Sequence, residues 1–178
     1  MFPWSRSAVK RGGGMGKIDT ASESLTAVAR EYCDLIESLG WVGTDPSTLV
    51  GHLSYLLPRL HAAVIVLGDA ENAGGFSAPV DLERRFDLYS RLHRILGERD
   101  PYWMEFDVAR DGQEMSGSLA DDLTDIYWEL RAGLDRINEE TDLAPTLRSW
   151  GAGYRLNWGQ HLVDAERHLY TLRARGAE

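Results

Sequence analysis

The stretch SLADDLTDIYWEL at residues 118–130 decides the fold, because an apolar stripe and a group of carboxylates share one short segment. The apolar positions recur every three or four residues and continue beyond the stretch, as Leu119, Leu123, Ile126, Leu130, Leu134 and Ile137. This spacing is the period of an α-helix that buries one face. Ser118 directly precedes the stripe and is a preferred N-cap residue. We therefore predict a helix that begins after Ser118 and packs against a core.

The carboxylates of this helix are Asp121, Asp122, Asp125 and Glu129, and they differ in their position relative to the stripe. At about 100° per residue, Asp122 and Glu129 border the buried face, Asp125 lies one step further out, and Asp121 points to solvent. Asp121 also stands three residues after Ser118, where it can complete a capping box. Asp122, Asp125 and Glu129 are then candidate ligands for Mg²⁺ or Mn²⁺. The alternative is a structural role near the helix N-terminus, where the helix dipole favours negative charge.

A second polar group lies near the C-terminus, where His161 falls near the centre of an apolar helical face and Asp164 flanks it. An aspartate three residues after a histidine can hold the imidazole in one tautomer. His161 is therefore a candidate catalytic acid or base, and Asp164 is the candidate residue that orients it. The alternative is a hydrogen-bond network between helices that satisfies a buried histidine. In either case the two polar groups can face each other across a bundle.

Four further helices are indicated by the same periodicity together with cap and breaker residues. The last of them is predicted as a single helix from residue 142 to about residue 172. Pro58 lies inside the second helix and is expected to kink it. No segment shows the sustained alternation of a strand, so the predicted fold class is all-α, an antiparallel bundle of about five main helices. The residues that delimit the four helices are Thr20 with Glu23, Asp45 with Pro46, Gly97 and Asp142.

The link between the third and fourth helices is rich in aromatic residues, with Tyr102, Trp103 and Phe106 in close succession. A merely solvated loop does not need so many aromatic side chains. We predict that this link lies across the bundle as a lid or staple, and a binding loop is the alternative. Residues 68–79 form a glycine-rich loop between the second and third helices.

Composition and charge limit the class of function. The chain has 178 residues, of which 43% are hydrophobic, and this length is that of one ordinary domain with a substantial core. Residues 1–18 contain four basic side chains and no acid, and they are predicted to be a flexible basic tail. Residues 19–178, the predicted single domain, carry 15 basic and 28 acidic side chains, a formal charge of −13. Such a surface repels phosphate backbones, so no nucleic-acid partner is expected.

The cysteine count and the lack of long apolar runs indicate a cytoplasmic protein with no membrane partner. Cys33 is the only cysteine, which excludes an intramolecular disulfide and any multi-cysteine metal cluster. No apolar run approaches the roughly 20 residues that a membrane-spanning helix needs. Cys33 shares a helical face with Ala29 and Ile36, and it is therefore predicted to be a small, partly buried residue rather than a catalytic thiol.

Two segments together resemble a known bacterial family. GSLADDLTDIYWELRAGL at 117–134 and NWGQHLVDAERHL at 157–169 resemble an all-helical family catalogued as a domain of unknown function, 5063-like, over residues 32–170. The resemblance implies a helical, intracellular protein and no particular chemistry. This chain has Asn157 where the family is expected to have a histidine, which weakens a metal site that needs that imidazole. It has Trp128 in place of a basic residue, on the side of the helix opposite the stripe, which suggests a partner surface or a sixth element that covers this side chain.

Two functions are compatible with these observations. The first is a non-enzymatic cytoplasmic bundle that acts through contacts with a protein partner or a second copy, with the acidic and histidine residues as caps and a buried network. The second is a metal-dependent hydrolase of a small phosphorylated or nucleotide substrate. In that enzyme Asp122, Asp125 and Glu129 would hold Mg²⁺ or Mn²⁺, and His161 with Asp164 would transfer protons. The first is favoured because the sequence contains no complete catalytic set.

Overall fold

Helices account for nearly all of the regular structure, in a computed structural model that describes residues 15–39, 43–67, 81–104, 115–139 and 142–176. Within these ranges the chain forms six α-helices and a two-stranded sheet. They are α1 (Met15–Ser38), α2 (Pro46–Ile65), α3 (Leu82–Leu96), β1 (Pro101–Met104), β2 (Met115–Ser118), α4 (Leu119–Glu139), α5 (Ala144–Gly153) and α6 (Gly159–Arg175). The predicted all-α fold class is confirmed. The glycine-rich loop at 68–79 lies outside the described residues.

The helix predicted from residues 118–130 is α4, and it lies at the centre of the bundle. It contacts α1, α3, α5 and α6, while α2 packs against α1 and α6. Its apolar stripe is buried as predicted, and the hydroxyl of Tyr32 from α1 donates to the backbone oxygen of Leu123 at 2.8 Å. Cys33 on α1 is also fully buried, and burial raises the pKa of its thiol to about 12. This cysteine is therefore part of the core and not a reactive thiol.

Several helix ends follow from single residues that the sequence singles out. Asp45 caps α2 by accepting a hydrogen bond from the Thr48 backbone N–H at 2.8 Å. Gly97 ends α3 with a φ of 54°, a conformation that costs other residues more than glycine. α2 continues through Pro58 to Ile65. The start of α1 differs from the prediction, because residues 15–18 of the expected tail are helical and residues 1–14 lie outside the described residues.

The last predicted helix is in fact two helices, because a π-helical turn at Tyr154–Trp158 separates α5 from α6. Trp150 and Trp158 are eight residues apart, which places their side chains about 80° apart on an uninterrupted α-helix. Both indoles are nevertheless fully buried. The apolar periodicity alone could not reveal the turn, because Trp150 and Trp158 both fit one broad apolar face of the continuous helix that was predicted.

The aromatic link forms a small β-hairpin, which the sequence analysis missed. β1 and β2 are antiparallel, and Tyr102 lies opposite Gly117. Neither strand alternates between apolar and polar residues, since Tyr102, Trp103 and Met104 are all apolar and residues 116–118 are serine and glycine. The Tyr102 ring occupies the space that a Cβ at residue 117 would need, so glycine allows this ring to lie close to β2. Tyr102 is buried whereas Trp103 is 71% exposed, and Phe106 lies outside the described residues.

Trp128, which was expected to form a partner surface or to be covered by a further element, is half-buried and lines a recess together with Leu88 and Arg91 of α3. Its indole Nε1 is buried and makes no hydrogen bond within the part of the chain that the structure describes. Across the same residues, no helix is both long enough and apolar enough to span a membrane.

Gly133 provides a test of how closely α4 and α5 pack. A Cβ at this position would overlap the indole of Trp150, whose Nε1 donates to the backbone oxygen of Glu129 at 3.1 Å. We expect Gly133→Ala to lower the free energy of unfolding by about 1–3 kcal/mol, because the indole must move out of a packed core. Chemical denaturation measures this change.

Gly51 is the matched control for Gly133. It is also inside a helix, α2, but a Cβ there would meet nothing within 4 Å. Gly51→Ala should therefore raise the stability by about 0.5–1 kcal/mol, because alanine is the better helix former. Equal effects of the two substitutions would contradict the proposed contact between Gly133 and Trp150.

Candidate functional site

The two polar groups predicted from the sequence meet at His161. The Nδ1 of this imidazole lies 2.8 Å from Oδ1 of Asp122, and its Nε2 lies 3.2 Å from Oδ2 of Asp125. Both carboxylates come from α4, one helical turn apart, and His161 comes from α6. An imidazole that donates from both nitrogens carries a positive charge. The side chain therefore bridges the two helices, and the carboxylate beside each ring nitrogen favours its protonated, positively charged form.

Asp122 is the most buried carboxylate of the site, with 5% of the residue exposed. Its Oδ2 accepts a hydrogen bond from the Tyr102 hydroxyl at 2.5 Å, while Oδ1 faces His161. Burial raises the pKa of the Asp122 carboxyl and outweighs the hydrogen bonds from His161 and Tyr102, which lower it. The hairpin therefore contributes to the site through Tyr102, whose own pKa is raised by burial and by Asp122.

Arg85 of α3 holds the two outer carboxylates. Its Nε and Nη2 lie 3.0 Å and 2.6 Å from Oδ1 of Asp125, and Nη2 also lies 3.0 Å from Oδ1 of Asp121. Asp121 was expected to cap α4 and face solvent. The Ser118 hydroxyl does accept the backbone N–H of Asp121 at 3.3 Å, as predicted for an N-cap, but the Asp121 side chain pairs with Arg85.

The other two predicted site residues have different partners. Glu129 accepts a hydrogen bond from Nδ2 of Asn157 at 3.1 Å and does not join Asp122 and Asp125 in the network around His161. Asp164 is buried, and its Oδ2 accepts from Gln160 at 2.8 Å. Asp164 was predicted to orient His161, but Asp122 has this position. The reason is that His161 points away from its own helix toward α4.

A cavity of about 390 Å³ opens beside this network. Its walls include Asp122, His161 and Asp164, together with Tyr89 from α3 and Ser116 from β2. Carboxylates and an imidazole of this kind can in principle hold a cation. Among the residues that the structure describes, however, no three or more histidine, cysteine, aspartate and glutamate side chains are arranged so that they can hold a metal ion.

Asp100 is a central residue of this region that the sequence analysis did not identify as important. It is almost fully buried, and its Oδ1 accepts the backbone N–H of Ala120 at 2.7 Å, at the first turn of α4. Ser118 donates its hydroxyl to the same carboxylate, and Nδ1 of His93 lies 2.7 Å from Oδ2. Asp100 therefore caps α4 from the turn that follows α3. It lies at the N-terminus of α4, where the helix dipole favours an anion.

Arg85 and Tyr102 were also missed as site residues. Arg85 gave no signal, because an arginine near the start of an amphipathic helix is ordinarily solvated. The sequence contained a partial signal for Tyr102, since the excess of aromatic residues indicated that the link packs on the bundle. Only the contacts in three dimensions show that each pairs with a carboxylate of α4.

A family model described as a domain of unknown function, DUF5063, matches residues 17–175. The chain belongs to this family. The predicted family resemblance is thereby confirmed, and the match extends beyond the residues 32–170 that had been expected. No curated protein matches the chain.

A solved structure shares the fold. It is the crystal structure of protein BF1032 from Bacteroides fragilis, with a TM-score of 0.70 and 23% sequence identity. The similarity covers 86% of this chain and 92% of the other. At this identity the similarity concerns the helical fold alone.

The position of His161 predicts how stability changes with pH. Its pKa is raised above the usual value, chiefly by the hydrogen bond to Asp122, with further contributions from Asp125 and Asp121, whereas burial lowers it. A histidine whose pKa is raised on folding contributes stability that is complete below about pH 6.5 and is lost as pH rises through the folded-state pKa. The raised pKa of Asp122 acts in the same direction from about pH 3.8 upward, because folding favours the protonated carboxyl.

We therefore expect the melting temperature to fall as the pH rises from about 6 to about 8.5. In His161→Gln, which retains a donor but does not titrate, the fall should be smaller. His52→Gln is the control, because His52 is an exposed histidine on α2. Thermal unfolding across this pH range measures the effect, and identical pH profiles for His161→Gln and the unaltered protein would contradict it.

Proposed function

We propose that this protein is a non-enzymatic cytoplasmic bundle that acts through contacts with a protein partner, and that the network around His161 is a structural clamp. The observation that supports the proposal most directly is the occupation of both ring nitrogens of His161 by Asp122 and Asp125. A catalytic acid or base needs one nitrogen that can reach a substrate proton. In this arrangement the imidazole instead joins α6 to α4.

The surrounding contacts also favour a structural role. Tyr102 donates to Asp122, and Arg85 pairs with both Asp125 and Asp121. The network thus connects α3, α4, α6 and the hairpin through charged or hydrogen-bonded pairs. A buried network in which the polar groups satisfy one another rigidifies the contact between helices.

Exposed apolar side chains support the second part of the proposal, that the protein acts through contacts. Tyr170 and Val163 of α6 and Trp103 of β1 are all large or branched and lie at the surface. Arg167 lies between these regions, since its Nη2 is 3.4 Å from the backbone oxygen of Trp103. Val163 and Tyr170 are seven residues apart and lie on nearly the same face of α6, and neighbouring exposed apolar side chains are typical of protein interaction sites. The single, buried Cys33 is compatible with a cytoplasmic location.

The metal-dependent hydrolase is the second candidate, and one observation favours it. The cavity beside the network brings Asp122, His161 and Asp164 into one wall. Mg²⁺ or Mn²⁺ bound there would have to displace His161 from Asp122 or Arg85 from Asp125. Glu129, the third proposed ligand, would have to leave Asn157. These displacements are the reason why the structural clamp is the preferred proposal.

Removal of either side of the clamp tests the preferred proposal. We expect Asp122→Ala and His161→Ala each to lower the free energy of unfolding by about 2–4 kcal/mol, because each leaves a charged partner buried without its counterpart. Asp122→Asn, which keeps an acceptor for Tyr102, should lose less. Chemical denaturation measures all three variants.

Glu139→Ala is the matched control, because Glu139 is an exposed carboxylate at the end of the same helix. Its stability should change by less than about 0.5 kcal/mol. If Asp122→Ala and His161→Ala were as stable as this control, the structural clamp would be refuted.

A panel of divalent cations separates the two candidate functions. An ion that binds specifically and is present at 100 times its dissociation constant raises the stability by about 2.7 kcal/mol. The structural clamp predicts no such increase with Mg²⁺ or Mn²⁺ in thermal unfolding. An increase that Asp122→Asn abolishes would instead support the hydrolase.

A further inference from the structure

The cavity of about 390 Å³ beside the network of His161 has an acidic wall. Three aspartates line it, Asp121, Asp122 and Asp164, and the imidazole of His161 is the basic group beside them. No lysine or arginine is among the described residues that line the cavity. A recess lined by charges of one sign concentrates ions of the opposite sign, because its low-dielectric walls focus the field. The cavity therefore attracts cations.

Asp164 is the carboxylate of this cavity whose pairing is incomplete. Only 9% of the residue is exposed, and its Oδ2 accepts a hydrogen bond from Gln160 at 2.8 Å. Nη2 of Arg167 lies 3.9 Å from Oδ1, which is too far for a hydrogen bond. An ionised carboxylate has about four acceptor sites, and a buried one is stabilised when donors fill them. Asp164 can therefore accept further hydrogen bonds from a molecule in the cavity.

The other two carboxylates differ in what they can offer to such a molecule. Both oxygens of Asp122 have partners, His161 and Tyr102. Asp121 pairs with Arg85 through Oδ1, and its side chain is 45% exposed. Its second oxygen can accept a hydrogen bond at the more exposed end of the acidic wall. A cation that binds to Asp164 and Asp121 therefore leaves the contacts of His161 in place.

The arrangement of the acids favours an organic cation over a metal ion. Oxygen ligands must converge to about 2.0–2.6 Å from a bound Mg²⁺ or Ca²⁺. Within the described part of the chain, no three acidic, histidine or cysteine side chains are arranged in this way. The N–H groups of an organic cation donate over about 2.7–3.2 Å and point in several directions. Tyr89 and Tyr102 supply apolar wall against which a carbon chain can pack.

We infer that this cavity is the binding site of a small organic cation, an alkylammonium or alkylguanidinium group whose N–H groups donate to Asp164 and Asp121. The carbon chain of the cation packs against Tyr89 and Tyr102. A free amine and a lysine or arginine side chain of a partner protein both carry such a group. The inference does not rest on the structural clamp, because the bound cation uses none of the contacts of His161.

Three cations with a four-carbon chain, butylammonium, putrescine and agmatine, test the inference on the full chain. Each should raise the melting temperature in a saturable way, because a ligand that binds the folded state alone stabilises it. Butanol and butanoate, at the same ionic strength, are the matched controls, since they have the same carbon chain without the positive charge. Neither should raise the melting temperature. Titration followed by NMR chemical shifts gives the dissociation constants.

Asp164→Asn should weaken the affinity for butylammonium by about tenfold or more, because it removes the charge from a buried hydrogen bond to the cation. Asp87→Asn is the matched control, since Asp87 is exposed on α3 and does not line the cavity. Its affinity should equal that of the unaltered protein. Thermal unfolding without ligand establishes that Asp164→Asn is folded.

Gln160 allows a second test at an exposed position, where substitution does not disturb the core. This residue lines the cavity and contacts Asp164. Gln160→Lys places an ammonium group beside Asp164 and should weaken butylammonium binding by about threefold or more, and Gln160→Glu should strengthen it by about the same factor. Ser38→Lys and Ser38→Glu make the same changes in net charge at an exposed residue outside the cavity. They should leave the affinity unchanged.

The inference is overturned if none of the three cations binds, if butanol or butanoate stabilises the protein equally, or if Asp164→Asn binds butylammonium as well as Asp87→Asn does. Equal affinities of Gln160→Lys and Gln160→Glu would also contradict it. A blocked tripeptide with a central lysine distinguishes the two sources of the cation. Tighter binding of this tripeptide than of butylammonium would assign the site to a partner's side chain, and weaker binding to a free amine. The structural clamp is tested by the stability of Asp122→Ala and His161→Ala, so the two failures are distinguishable.

Discussion

Partly buried carboxylates at the edge of α4 are the constraint on which the arrangement of the neighbouring elements depends. An ionised carboxylate that is removed from water costs several kcal/mol unless donors replace the water. Asp122 is 5% exposed and has such donors on both oxygens, from Tyr102 and His161. Asp125 has Arg85 and His161. As a result, α3, α6 and the hairpin all meet at the first two turns of α4.

The same principle operates at the start of α4. The first backbone N–H groups of a helix have no partner within the helix. Asp100 accepts one of them, from Ala120, and is itself held by Ser118 and His93. This carboxylate therefore links the end of α3 to the start of α4 through a buried cap. Together with Tyr102 of the hairpin, which donates to Asp122, it holds the described residues 101–104 of the aromatic link close to α4.

The distribution of charge has a consequence for the surface. The acids of α6 are directed inward or paired, Asp164 with Gln160 and Glu166 with His61, and the arginines remain outside. Glu166 nevertheless lines the recess beside Pro58 together with Tyr170 and Arg173, so this recess carries both an acid and a base. The pairing of the acids and the exposure of the arginines are thus two results of the same helix orientation.

Local patterns in the sequence determined the helices and part of the site. The period of Leu119 to Leu134 determined that α4 is buried on one face, and Asp45 and Gly97 determined where helices begin and end, because these effects act within one or two turns. The wheel placed Asp122 at the edge of the core, as the structure has it. Only the tertiary structure decided that His161 lies between Asp122 and Asp125, that Glu129 pairs with Asn157, and that Asp100 caps α4. Each of these contacts joins residues from different elements, and its geometry depends on how the helices pack and on the π turn before α6, which periodicity in the sequence does not encode.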